Sequence, residues 1–298
     1  VSCPGNPELE WCPPGHGDIY SALLTSGVLD RLLKSGYEYA FVSNSDNLGA
    51  LMDLVILGHF VKKNLTFMME VADRTESDKK GGHLARLKNG RFVLREIAQC
   101  PDEDLNSFQN FYKHKYFNTN NIWFHLPSIK KELDSNMGFM KLPMIRNKKN
   151  MNPRDPGSKK IYQLETAMGT AISCFDNAGA IRISRNRFAP VKDTADLLAV
   201  RSDCYILNNF FQLVSNPKRK AGKMLINLDP TYYKIIDNFK SRFPFGPPSL
   251  VACDSLMING DFTFGKDVIL EGNVKLVNNT KHTFQLDNGK RINRSFEV

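Results

Sequence analysis

Two short stretches of this chain concentrate the residue types that hold phosphate and metal. In PPGHGDIY (residues 13–20) two prolines stiffen the backbone, while Gly15 and Gly17 let it approach a flat or anionic ligand. His16 stands between the glycines, directly ahead of a helical pattern whose positive dipole end favours anions. A lone histidine is equally well explained by a structural role. In SNSDN (43–47), Asn44, Ser45 and Asp46 follow an apolar, strand-like run. Ligands of open α/β sheets sit beyond the C-terminal ends of strands, so Asp46 stands where a carboxylate would hold Mg2+ beside substrate phosphate oxygens. The same string also reads as an N-cap feeding LGALMDL. A third stretch, FAPVKDTADLL (188–198), sets Lys192 at the mouth of a helix that follows a strand, as a point charge for phosphate or simply as a solvated lysine.

The elements that must position these residues alternate. Residues 18–35 carry Ile19, Leu23, Val28, Leu29 and Leu32 at near-helical spacing, with Asp18 as N-cap. A strand at 37–44, a helix at 48–63 and a strand at 65–71 follow, and the βαβ rhythm implies a mostly parallel sheet. The rhythm continues through FVLREIAQ, IWFHL, IYQLE and AIRISR as strands and EDLNSFQNFYKH, TAMGTAISCFDN and TADLLAVRSDCY as helices. RNKKNMNPRDPGSKK (146–160) reads as a long polar loop. After Pro247-Pro248 two series recur every six residues, Leu256, Phe262, Val268, Val274 and Ile258, Phe264, Leu270, Leu276, with glycines between. That is the pattern of a hexapeptide β-helix, short because the series fails at His282.

At 298 residues and 42% hydrophobic content the chain can bury a core for one large and one smaller domain, and its apolar runs are too short to cross a bilayer. The formal net charge of +9 favours anionic partners. The basic clusters, Lys79-Lys80, Arg146 to Lys149, Lys159-Lys160 and Lys218 to Lys220, are not interleaved with aromatics, which argues against nucleic acid. Six scattered cysteines form no C-x-x-C pair and no zinc spacing, as expected of reduced thiols in the cytoplasm. No signal-peptide pattern opens the chain, which starts at Val1 rather than Met.

Six segments in order, EWCPPGHGDIY, FVSNSDNLGA, MEVADRTESDKKGGHLAR, FNTNNIW, QLETAMGTAI and SRNRFAPVKDTADLL, resemble blocks of the UDP-glucose pyrophosphorylase family, and the wording SDKKGGHLAR and MIRNKK is similar to its protozoan members. The resemblance implies an α/β fold: a Rossmann-like nucleotidyltransferase domain with flanking helices over 1–205, and a C-terminal domain over 206–298 with left-handed β-helix coils at about 250–280. It implies the reversible conversion of MgUTP and glucose 1-phosphate to UDP-glucose and pyrophosphate. By the same resemblance Gly15, His16, Asn44, Ser45, Asp46 and Lys192 meet the nucleotide and its phosphates, with Asp46 on Mg2+ and Lys192 and Asp46 catalytic. Gly82, Asn120 and Glu165 match positions that hold the hexose, and Lys149 is a further candidate there. The family's N-terminal glycine-rich loop has no counterpart in these residues, so they are expected to show negligible turnover by themselves. A monomer is expected. The alternatives are a broad-specificity UDP-sugar pyrophosphorylase and a non-catalytic fragment of the same fold.

Overall fold

The computed structural model describes residues 5–74, 78, 81–152, 154–155, 157–220 and 224–298, without the side chain of Leu9; Cys3 and Lys79-Lys80 fall outside them. The apolar spacing at 18–35 forms two helices, α1 (Ile19–Thr25) and α2 (Val28–Lys34), because Gly27 between them adopts a left-handed φ of 69°. Tyr20 and Leu29 are buried, and Ile19, Leu23 and Leu32 pack beside them. Asp18 makes no side-chain cap, contrary to expectation, since it belongs to a 3-10 turn over His16–Asp18. After β1 (Tyr39–Val42), α3 (Leu54–Lys62) starts later than its apolar pattern because Asp53 is the cap, accepting from the N–H groups of Val55 and Ile56.

The remaining strands and helices of this unit are β2 (Phe67–Asp73), β3 (His83–Arg86), β4 (Phe92–Arg95), α4 (Leu105–Phe108), β5 (Tyr116–His125), α5 (Leu126–Ser135), β6 (Met144–Asn150), β7 (Lys160–Thr166) and β8 (Ala178–Arg182). One mixed sheet runs β4-β3-β5-β2-β8, and β1 pairs with β5 as well. Within this sheet, among the described residues, only the β2–β8 ladder is parallel, which corrects the expectation of a mostly parallel sheet. The cause is β5: ten residues long, it enters antiparallel between β1 and β2, which keep the common direction of a βαβ pair without touching. One face buries Phe67, Met69, Ile122 and Phe124 with α1, α2 and α5, and the other buries Met68 and Trp123 against Ile56 and Phe60 of α3. Two expected helices shrink, to a 3-10 turn plus α4 at 102–108 and to a 3-10 stretch over Met168–Cys174. The expected loop at 146–160 holds between Asn150 and Lys160, but residues 146–150 and Lys160 belong to strands, with β6 and β7 pairing from Met144↔Thr166 to Asn150↔Lys160. Its charged residues stay solvated on the strands, so their polarity is no sign of a loop.

Contacts divide the chain into one unit of Val1–Asn44 and Met52–Arg185 and a second of Ser45–Leu51 and Asn186–Val298. The reason is local: Leu48 N–H donates to Ala189 O and Val191 N–H to Asp46 O, so residues 45–51 pair with 187–191. The second unit continues with α6 (Thr194–Arg201), the hairpin β9 (Tyr205–Leu207) and β10 (Leu213–Ser215), β11 (Leu225–Leu228), α7 (Pro230–Tyr233) and α8 (Ile236–Arg242). Then come β12 (Cys253–Asn259), β13 (Phe262–Phe264), β14 (Ile269–Leu270), β15 (Gly272–Val277), β16 (Phe284–Leu286), β17 (Arg291–Ile292) and β18 (Phe296–Glu297). They stack as parallel ladders, β11-β12-β15-β18, β13-β16 and β14-β17. All eight residues of the two six-residue series are buried, with Leu256 opposite Val274 and Ile258 opposite Leu276.

The stacking does not end at His282: Phe262 pairs with Phe284 and Leu276 with Phe296. A short bulge carries the chain past the break in the series, pinned by Asn278, whose amide donates to Asp261 O and His282 O and accepts from Thr280. Phe264 lies fully buried and stacks on Phe243 at 4.7 Å. Phe264→Ala should therefore cost about 3–5 kcal/mol in urea unfolding, whereas Phe210→Ala, at an exposed position, should stay within about 0.5 kcal/mol.

Candidate functional site

In the first unit, the loop before α1 is pressed onto the end of β7. A Cβ on Gly15 (φ 88°) would sit 2.5 Å from Thr166 O, and one on Gly17 2.4 Å from Thr166 Oγ1, so both positions exclude a side chain. Thr166 N–H donates to Pro14 O, and Met168 N–H donates to His16 Nδ1 at 2.9 Å. Because Nδ1 accepts, the neutral imidazole carries its proton on Nε2, the tautomer that can donate to a phosphate oxygen. Glu165, adjacent to this contact, accepts from the Asn147 amide across the β6–β7 hairpin. Lys149 lies on the same hairpin opposite Ile161, exposed, further toward the turn and outside that contact.

The second part of the site is built around a buried acid. Glu70 of β2 is fully buried; its Oε2 accepts from Asn121 Nδ2 and its Oε1 from Trp123 Nε1, both at 2.9 Å. Thr119 Oγ1 donates to Glu70 O at 2.7 Å. Between these anchors the β2–β5 register shifts, and Asn120 at the shift takes a left-handed φ of 57° that asparagine tolerates. The Asn118 side chain clamps it, accepting from Asn120 N–H and donating to Asn120 Oδ1. Asn118 N–H in turn donates to Gly82 O. A Cβ on Gly82 would meet Glu96 Oε1 at 2.5 Å, so the backbone there touches a carboxyl group. Burial raises the Glu96 pKa from its ordinary 4.5 to about 7.

In the second unit, Asn47 organises the loop that carries Asp46. Its Oδ1 accepts from Gly49 N–H and Ala189 N–H and its amide donates to Arg187 O. A Cβ on Gly49 would lie 2.6 Å from Asn186 O, so the strands touch backbone to backbone. This pairing delivers Asp46 to Lys192, with Nζ to Oδ2 at 2.5 Å. Lys192 N–H donates to Asp196, and Asp193 caps α6 immediately after it. Asp46 Oδ1 is buried with no hydrogen-bond partner. The SNSDN string is therefore not the cap of a helix, and Asp46 keeps one oxygen for something else.

Of the residues expected to act together, Gly15, His16 and Glu165 meet around β7, Gly82 and Asn120 are linked through Asn118, and Asp46 and Lys192 form an ion pair. Asn44, half-buried, ends the first segment of one unit and Ser45, exposed, opens the other. Sequence reasoning missed Glu96, Asn118 and Asn147. Glu96 sits in a stretch that reads only as strand, and its place over Gly82 depends on the β3–β4 pairing, which no local pattern discloses.

These elements make the chain an α/β protein, with close-packed glycine backbone, amides and carboxyl groups in the polar loops of the first unit and a lysine–carboxylate pair in the second. A family model described as UTP–glucose-1-phosphate uridylyltransferase matches residues 2–271. The chain belongs to that family. It is 42% identical to the UTP–glucose-1-phosphate uridylyltransferase of Musa acuminata over 94% of this chain and 58% of that protein. It is also 42% identical to that of Solanum tuberosum, over 98% and 60%. A solved UDP-glucose phosphorylase from Trypanosoma brucei superposes with a TM-score of 0.89 at 49% identity, covering 100% of this chain and 64% of the other. A Leishmania major UDP-glucose pyrophosphorylase variant in complex with UDP-glucose gives 0.88 at 43%, covering 100% and 65%. The chain thus spans less than two thirds of the length of these relatives. No helix among the described residues is long and apolar enough to cross a membrane, and the five described cysteines are free thiols.

Two outcomes follow from this geometry. Trp123→Phe leaves one Glu70 oxygen without its indole donor and should cost about 1–3 kcal/mol in chemical denaturation. Glu96 binds its proton more tightly folded than unfolded, so its contribution to stability falls as pH rises from 4.5 to about 7. Glu96→Gln should remove that component, and the difference in melting temperature between variant and wild type should grow in the variant's favour across the window.

Proposed function

We propose that this chain carries the hexose, nucleotide and phosphate contacts of a UTP–glucose-1-phosphate uridylyltransferase, making UDP-glucose and pyrophosphate from UTP and glucose 1-phosphate. The observation that carries the reading is the Asp46–Lys192 pair, in which one carboxylate oxygen holds the lysine and the other is buried without a partner. An oxygen so placed fits Mg2+, which takes one or two carboxylates and completes its shell with phosphate and water; the described residues offer no cluster of three or more ligating side chains, as such a site requires none. Bound there, the ion would neutralise phosphate charge and orient the reacting oxygens.

The reaction needs no covalent enzyme intermediate: an oxygen of the sugar phosphate attacks the α-phosphorus in line and pyrophosphate leaves. What the protein supplies is position and charge. Lys192 offsets the negative charge on the phosphates, and the Nε2 proton of His16 donates to a phosphate oxygen. Gly15 gives backbone access to the uridine, and Asn44 and Ser45 are further nucleotide contacts in this reading. Gly82, Asn120, Glu165 and the raised-pKa carboxyl of Glu96 supply donors and acceptors for hexose hydroxyls, with Lys149 at the hairpin. The reading includes a left-handed turn for the stacked strands of the second unit, a cytoplasmic location and a monomer, the last checked by light scattering.

The test is pyrophosphate release from UTP and glucose 1-phosphate with magnesium, together with binding of UDP-glucose. Lys192→Ala should weaken UDP-glucose binding by about tenfold or more while changing stability by no more than about 1 kcal/mol, since the pair is exposed. Failure of the wild-type chain to bind UDP-glucose, or equal rates with galactose 1-phosphate, would overturn the narrow assignment.

A further inference from the structure

Behind Gly82 and Glu96 lies a cluster that none of the roles above uses. His83, next to Gly82, is fully buried and pairs across the β3–β4 ladder with Arg95, next to Glu96. Its ring stacks on His114 at 4.0 Å and lies 4.5 Å from Phe108. Arg74, at the end of β2, donates to Phe108 O at 2.9 Å and approaches His83 Nδ1 at 3.4 Å. Arg95 is ion-paired with Asp104 and lies over the Phe108 ring. His114 leads directly into β5, the strand that presents Asn118 and Asn120. The stack is therefore where the strands bearing Gly82, Glu96 and Asn120 are tied together.

We infer that the stacked His83–His114 pair is a positioning device for hexose recognition, holding Gly82, Glu96 and Asn120 in mutual register without itself touching ligand. This rests on the hexose role proposed above. Two neutral imidazoles can stack at this distance where two imidazoliums would repel. The surroundings keep them neutral: burial first, then His114, Arg74 and Arg95, hold His83 down to about 3, and burial first, then Arg95, Lys113 and Arg74, lower His114, each against an opposing pull from Asp104. Both Nε2 atoms are buried without a hydrogen-bond partner, and beside the Arg74 contact at His83 Nδ1 the two rings meet face to face. His114 is half-buried and is the partner that can be changed with less disturbance to the core.

The experiment is calorimetric titration of UDP and of UDP-glucose into wild type, His114→Ala and His114→Phe at pH 7.5. The ratio of the two dissociation constants isolates the sugar's share of binding. In His114→Ala that ratio should shrink by about tenfold, the equivalent of one lost hydrogen bond, while UDP affinity holds; His114→Phe, which keeps a stacking ring, should restore it. An unchanged ratio in His114→Ala, a parallel loss of UDP affinity, or failure of His114→Phe to restore the ratio would overturn the inference. Should His114→Ala not fold, His114→Gln carries the same comparison. A wild-type protein that binds UDP yet shows no preference for UDP-glucose would sink the hexose assignment itself.

Discussion

A single buried acid sets the geometry of the first unit. An unpaired carboxyl group in a sheet interior is costly, and β5 offsets that cost for Glu70 by bringing it the Asn121 amide and the Trp123 indole. Meeting those donors forces β5 out of plain register with β2, and the shift is what lets Asn120 adopt a left-handed backbone and turn out of the ladder. The clamp from Asn118 and its link to Gly82 then follow from where the shift leaves those residues. The apolar layers on both faces of the sheet hold the strands firmly enough for a polar side chain to be placed this way.

A second constraint recurs around the functional residues: backbone against backbone, made possible by glycine. Gly15 and Gly17 lie against Thr166 and Gly49 against residues 186–188, each too close for a Cβ, whereas the close neighbour of Gly82 is the movable Glu96 carboxyl. Close approach places the polar side chains that flank each glycine, His16 on Met168 N–H and Asp46 on Lys192. The glycine positions are thus structural requirements first, and they become functional through their neighbours.

The βαβ rhythm and the two six-residue series were legible because each depends on burial period alone, and periodicity is a local property of the chain. Every residue of those series faces the interior, as spacing requires. The continuation of the stack beyond His282 was not legible, because the bulge that restores register is held by Asn278, whose side chain bonds to residues on both sides of it. The β6–β7 hairpin was hidden for a different reason: with one face exposed and many charged residues, its strands carry loop-like composition.

By itself, the sequence determined which residues could bear charge, donate or coordinate, where the apolar periods lie, and which glycines flank the chemistry, since all of these reside in residue type and spacing. Tertiary structure alone decided that β5 separates β1 from β2, that Glu96 stands over Gly82, that Asp46 reaches Lys192 with one oxygen to spare, and that His83 stacks on His114. The physical reason is the same in each case: these are contacts between residues distant in the chain, and their geometry is set by strand pairing and by the need to satisfy buried polar groups, neither of which leaves a local trace.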